Sequence, residues 1–236
     1  MKDRLAVVVP MKPLALAKQR LRPAVDDATR ITLARAMFEH VLTTIRSSGV
    51  ADLPLVISAD AEVRALAQSY GFWTLDEQGE NGKPRTTGPY GEPIGYNEAI
   101  IRVVAWTQSQ GMTTLLILPA DLPHLIPDDL RQLVGLAGSA PRTAVLAPDT
   151  AETGTNALLL RPPDLILPAF GPDSFRRHRE ALRTSGIVPV VYRSASLAYD
   201  VDEPADLVPL GVGVKGAERS PEGMVKIDLG QLSSGI

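Results

Sequence analysis

The stretch RLAVVVP (residues 4–10), followed directly by MKPLALAKQRL (residues 11–21), decides how the rest of this 236-residue chain is read. A continuous apolar run that stops at a proline-marked turn reads as a strand buried on both faces, the kind found in parallel sheets. Within a dozen residues it delivers Lys12, Lys18, Arg20 and Arg22 to the strand's carboxyl end. In open α/β sheets that end is where ligands bind. Four cations beside a turn marked by Pro10 and Pro13 point to a polyphosphate, with a solvated basic loop as the plainer alternative.

Outward from this strand, apolar runs alternate with helical patterns. The runs at 53–58, 72–75, 113–118, 143–147, 156–160 and 187–192 read as strands, and 28–47, 60–70, 95–109, 127–137 and 173–185 as helices. Such alternation predicts βαβ units, hence an α/β fold with a mainly parallel central sheet. Gly49 is placed to end the first helix, Asp60 to cap the second and Pro127 to open the fourth. Residues 76–93 (DEQGENGKPRTTGPYGEP) have almost nothing to bury and read as a long loop, the kind that serves as a lid. A single domain is expected over 1–210. The tail 211–236 contains MVKIDL (Met224 to Leu229), read as an edge strand or a contact with a second copy of the chain.

Composition excludes several function classes. A net charge of −3 leaves no electrostatic footprint for nucleic acid. With no cysteine there is no thiolate nucleophile or thiolate metal site, and three scattered histidines (His40, His124, His178) argue against a zinc hydrolase. Any metal must use oxygen ligands, which means Mg²⁺ or a similar hard cation. No signal peptide and no long apolar span are legible, so a cytoplasmic address and no membrane partner are expected.

Four constellations carry chemistry. In LPADLPHL (residues 118–125) a strand ends on an aspartate flanked by prolines, so Asp121 stands rigidly at the carboxyl edge, where a phosphate-bound metal ion is its natural partner. In DVDEPADL (residues 200–207) Asp200 and Asp202 alternate and share a face on an extended segment. Two carboxylates there call for a cation between them, while Asp202 also reads as the cap of a helix at 203–207. ETGTNALLL (residues 152–160) opens with a turn at Gly154, Thr155 and Asn156 that offers backbone N–H groups and a hydroxyl. In FGPDSFRRH (residues 170–178) Gly171 allows close approach, and Ser174 sits where a helix start favours an anion. In GYNEAI (residues 95–100) Asn97 reads either as a nucleotide contact or as a helix cap.

Taken in order, PMKPLALAKQRL, the SAD of residues 58–60, YNEAI, LPADLP, GTNALLL, FGPDSFRRH and LAYDVDEPADL resemble the guanylyltransferases of deazaflavin coenzyme F-420 biosynthesis, which act on 2-phospho-L-lactate or phosphoenolpyruvate. The resemblance spans residues 4 to 210. It implies a Rossmann-like, GT-A-like nucleotidyltransferase fold of three α/β/α layers, and transfer of GMP from GTP to a three-carbon phosphoacid with Mg²⁺ as cofactor. It places Thr155, Gly171 and Ser174 on the phosphoacid, and Lys12, Lys18, Arg20 and Asn97 on the nucleotide. Asp121, Asp200 and Asp202 fall on the metal, with Lys18 and Asp121 as the catalytic pair. A homodimer is plausible from the same resemblance. Alternatives that stay open are another phosphorylated acceptor (3-phosphoglycerate, a sugar phosphate, the molybdenum cofactor) and a nucleotide-binding domain without catalysis.

Overall fold

The computed structural model describes residues 3–77 and 95–212. The opening run forms β1 (Leu5–Pro10), buried at every position. It lies between two parallel neighbours, β2 (Leu53–Ser58) and β4 (Thr114–Ile117). With β3 (Trp73–Asp76), β5 (Thr143–Pro148), β6 (Thr155–Arg161) and β7 (Val190–Val191), the sheet has seven strands in the order β3-β2-β1-β4-β6-β5-β7. A strand with neighbours on both edges and helices on both faces has no wet side, which is why β1 needs no polar alternation.

The helices are α1 (Asp27–Ser48), α2 (Ala61–Ser69), α3 (Tyr96–Ser109), α4 (Pro127–Leu136), α5 (Ser174–Thr184) and the single turn α6 (Ala195–Ala198). Val7 and Val9 pack with Phe38 of α1, Val63 of α2 and Leu133 of α4. Ala6 and Val8, pointing the other way, pack with Ile100 of α3 and Phe175 of α5. Period-2 alternation along β1 therefore separates two helical layers, giving the expected α/β/α sandwich. The caps predicted at Gly49 and Asp60 form: Gly49 ends α1 at φ 69°, and Asp60 accepts from the Glu62 N–H. Asp26, not singled out in the sequence, caps the start of α1 by accepting from the Thr29 N–H. Asp60 also accepts from the Leu14 N–H at 3.3 Å, which ties the start of α2 to the basic loop.

The sheet is mainly parallel, as expected, with one reversed strand, and one predicted strand is shorter than expected. β6 runs antiparallel to both β4 and β5, so the sheet has one reversed strand in its interior. The short link from β5 to β6 makes a hairpin, which reverses direction, whereas a parallel partner would need a longer crossover. The predicted strand 187–192 shrinks to Val190–Val191, because Pro189 has no N–H to give a ladder and Val188 is exposed. The tail segment read as an edge strand, and residues 78–93 of the predicted loop, lie outside the described residues.

The reversal matters for the site. It carries the start of β6, with Thr155 and Asn156, to the same sheet edge as the carboxyl ends of β1 and β4.

Candidate active site

Lys18 sits between two 3₁₀ turns, Leu14–Leu16 and Gln19–Leu21, with a left-handed backbone at φ 53°. That conformation costs a residue with a Cβ about 1–2 kcal/mol, so surrounding contacts must hold it. Arg30 of α1 does so. Its guanidinium is buried, donating to the carbonyls of Ala15 (3.0 Å) and Ala17 and to Asp27 Oδ1 (3.1 Å). Sequence reading missed Arg30, although an arginine in register with Leu33, Ala34 and Met37 on a core stripe is a signal, since such a residue is buried only when paired. Arg22, counted above among the phosphate-facing cations, is instead bound by Asp27 at 3.0 Å.

The Lys18 ammonium lies between two carboxylates. It contacts Asp121 closely and Asp202 Oδ1 at 2.7 Å. Burial pulls the ammonium towards its neutral form, but Asp121 and Asp202 outweigh it and hold the group above its ordinary range. Burial likewise raises the Asp202 carboxyl, and Lys18 overcomes this to lower it. Asp200 behaves differently: burial, then repulsion from Asp121, push its carboxyl up to about 6. Among the described residues its Oδ1 accepts a long bond from Asn156 Nδ2, at 3.4 Å. The second oxygen of Asp121, Oδ1, is buried with no hydrogen-bond partner among the described residues. The expected cap role of Asp202 is reversed: Asp206 Oδ2 accepts from the backbone N–H groups of Asp202 (2.8 Å) and Glu203 (2.7 Å), which frees the Asp202 side chain for Lys18.

This cluster opens into a cavity of about 380 Å³ whose wall includes Lys12, Arg20, Tyr96 and Asp121. An adjoining cavity of about 460 Å³ shares Lys12 and Tyr96. It is walled by Pro10, Pro13, Ile57, Glu77 and Ala99. Lys12, Lys18 and Arg20 are thus brought together as expected.

The second cluster forms around the start of α5. Thr155 Oγ1 lies 3.0 Å from His178 Nδ1, while the Ala169 N–H donates to His178 Nε2 at 2.9 Å. The Phe175 N–H donates to the Thr153 carbonyl, and Ser174 begins α5 just beyond Gly171, whose φ of 111° favours glycine. Arg177 Nη2 donates to the Phe170 carbonyl at 3.2 Å, and its buried Nε has no partner among the described residues. Thr155, Gly171 and Ser174 therefore belong to one locality. The Gly154 N–H, read as open to a ligand, is taken by Asp149 Oδ2 at 2.8 Å. Asn97 does not cap a helix. Its Oδ1 accepts from the Phe170 N–H (2.8 Å) and its Nδ2 donates to the Phe170 carbonyl (3.1 Å), so the amide clamps the loop before α5.

An aromatic bridge joins the clusters. Tyr96 meets Phe170 edge to face at 5.1 Å, and Phe170 meets His178 at 4.8 Å. Buried groups hold the acidic segment from behind. Asn156 Nδ2 donates to the Leu197 and Ala198 carbonyls, and Asp129 accepts from Tyr192, Ser194 and Ser196. Sequence reading did not pick out Asp129, which looks like an ordinary first-turn acid of α4.

A mainly parallel sheet with a lysine and three aspartates gathered at its carboxyl edge, beside paired cavities, has the architecture of the GT-A-like nucleotidyltransferase fold. Solved structures agree on the fold. A nucleotidyl transferase from Methanothermobacter thermautotroptrophicus superposes with TM-score 0.60 at 14% identity, covering 88% of this chain and 96% of that one. A putative nucleotide-diphospho-sugar transferase from Desulfovibrio desulfuricans G20 gives 0.66 at 14%, covering 87% and 85%. Residues 5–219 match the family described as "Guanylyl transferase CofC like", and the chain belongs to that family. Among its relatives is a phosphoenolpyruvate guanylyltransferase of Conexibacter woesei, 36% identical over 200 residues (85% of this chain, 84% of the relative). Another of that name, from Sphaerobacter thermophilus, is 37% identical over 200 residues (85% and 89%). A 3-phospho-D-glycerate guanylyltransferase of Colwellia psychrerythraea is 29% identical over 204 residues (86% and 90%). Among the described residues no helix is long and apolar enough to cross a membrane.

Proposed function

We propose that this chain transfers GMP from GTP to phosphoenolpyruvate or a closely similar three-carbon phosphoacid, releasing pyrophosphate. The observation that carries the reading is the Lys18–Asp121–Asp202 cluster at the mouth of the cavity that also holds Lys12 and Arg20. The acceptor's phosphate oxygen is already ionised at neutral pH, so its attack on the α-phosphorus needs no general base. Such transfers depend on positioning and on neutralising charge. Lys12, Lys18 and Arg20 supply positive charge to the β- and γ-phosphates and to the departing pyrophosphate. Thr155, Gly171 and Ser174 hold the acceptor.

The acidic residues fit a hard divalent cation. Asp121 has a buried oxygen without a partner, and Asp200 lacks enough positive charge to stay fully ionised. Among the described residues no three acids form a ready-made ligand set. Mg²⁺ does not require one, since it keeps waters and uses phosphate oxygens beside one or two carboxylates. Asp121, with Asp200 and Asp202, would hold it, and when bound it screens the charge that develops on the phosphates.

The adjoining cavity suits the nucleoside. Among the described residues its walls are apolar apart from Lys12, Glu77 and the Tyr96 hydroxyl, and a carboxylate such as that of Glu77 can accept from both N1–H and the 2-amino group of guanine, donors that adenine does not present at those positions. The test is pyrophosphate release from GTP with phosphoenolpyruvate, 2-phospho-L-lactate and 3-phosphoglycerate in turn. Release that depends on one of these acceptors supports the reading. Release with none of them, or equal release from ATP, refutes it.

A further inference from the structure

His178 is fully buried on α5, and the transfer reaction outlined above gives it no task. Both of its ring nitrogens are nevertheless engaged, and the order of those bonds is fixed. A backbone N–H can only donate, so the Ala169 N–H at 2.9 Å from Nε2 requires Nε2 to be a bare acceptor. Burial, then the nearby Arg177, lower the imidazolium to about 4, so the ring is neutral at physiological pH. A neutral ring with a bare Nε2 carries its proton on Nδ1. That proton points at Thr155 Oγ1, 3.0 Å away. The threonine oxygen therefore accepts from histidine, and its own proton is left to be given elsewhere.

We propose that His178 is a positioning residue that sets the Thr155 hydroxyl as a hydrogen-bond donor to an anionic oxygen of the phosphoacid acceptor. With the other tautomer, Thr155 would spend its proton on Nδ1 and turn lone pairs towards the anion, so one proton's placement decides between attraction and repulsion. The control reaches back to Asn97, whose amide clamps both backbone groups of Phe170 and so holds the neighbouring Ala169 N–H on Nε2. The Phe170 ring, edge-on to His178, closes the remaining side. This inference rests on Thr155 belonging to the acceptor site.

Two variants separate the ring's two bonds. His178→Gln places an amide where Nε2 was and withdraws the donor to Thr155, whereas His178→Asn places its amide where Nδ1 was and can still donate. His178→Gln is expected to raise the KM for phosphoenolpyruvate severalfold, with kcat and the KM for GTP little changed, because the Thr155 hydroxyl is no longer held in its donating orientation. His178→Asn is expected to stay near wild type. Thr155→Val, which deletes the donor itself, should raise that KM about tenfold or more, and the double variant should be no worse than Thr155→Val alone. Two-bond ¹H–¹⁵N NMR on the wild-type protein reads the tautomer directly, whether or not a variant folds. Nδ1–H is expected, and Nε2–H overturns the proposal. Equal losses in the Gln and Asn variants, or additive losses in the double variant, overturn it as well. An Nδ1–H ring together with an unchanged acceptor KM in Thr155→Val overturns it by a different route, removing Thr155 from the acceptor site while the hydrogen-bond order stands.

Discussion

Replacing Lys18 with methionine keeps the aliphatic stem and removes the ammonium that separates Asp121 from Asp202. At 2.7 Å and an effective dielectric of about 20, the Asp202 contact alone has a gross Coulomb energy of about 6 kcal/mol. Desolvation of Lys18, whose side chain is 10% exposed, removes much of this, and the Asp202 side chain is 52% exposed and well screened. The larger loss comes from Asp121, 20% exposed, which is left beside Asp200 and Asp202 with its counter-ion gone. Breaking a buried pair on one side costs about 3–5 kcal/mol, and the partial exposure here reduces this to about 2–4 kcal/mol. For a chain of this size that is a fall in Tm of roughly 4–16 °C. Calorimetry on K18M, D121N and K18M/D121N in metal-free buffer is the assay. Removing the orphaned carboxylate should recover at least ~1 kcal/mol in the double variant, a clear departure from additivity. A K18M protein within about 0.5 kcal/mol of wild type, or strictly additive single and double variants, would refute the view of Lys18 as the cluster's internal counter-ion.

Other consequences can be measured on the same protein. Asp121→Asn should lower GTP-dependent pyrophosphate release by at least about a hundredfold, with the far-UV circular dichroism spectrum unchanged; near-normal turnover would remove Asp121 from the chemistry. Asp200 titrates in the fold at about 6 against 3.8 in the unfolded chain, so between those values the native state holds the extra proton and stability falls as pH rises. Asp200→Asn should remove that penalty and raise stability at pH 7 by about 1–2 kcal/mol after allowance for solvent screening, while activity is lost; an unchanged or lower Tm counts against it. Glu77→Gln should bring the ratio of kcat/KM for GTP over ITP, which lacks the 2-amino group, down towards one, and an unaltered ratio would clear Glu77 of reading the base.

Much of this was legible in the chain itself. The caps at Asp60 and Gly49 and the buried run of β1 depend on windows of about ten residues, where spacing and turn chemistry act locally. The same local logic places Asp121 at a strand end. What the chain did not show is which remote segment a polar side chain would meet. Asn97 is committed to Phe170 and Arg30 to the Ala15 and Ala17 carbonyls, and Thr155 is set against His178. A polar side chain advertises a hydrogen-bonding capacity but not which backbone will come to meet it. An amide that could read a base can equally clamp a loop.

The sequence by itself determined the strands and helices, the edge at which charge collects, and the motifs that place the chain in its family, because these follow from periodicity, capping and order along the chain. Only the tertiary structure decided that β6 runs backwards, that Lys18 stands between Asp121 and Asp202, and that the Ala169 N–H sets the proton on His178. The reason is that each depends on segments remote in sequence becoming neighbours. Which neighbours they become is settled by the packing of the whole sheet and its two helical layers.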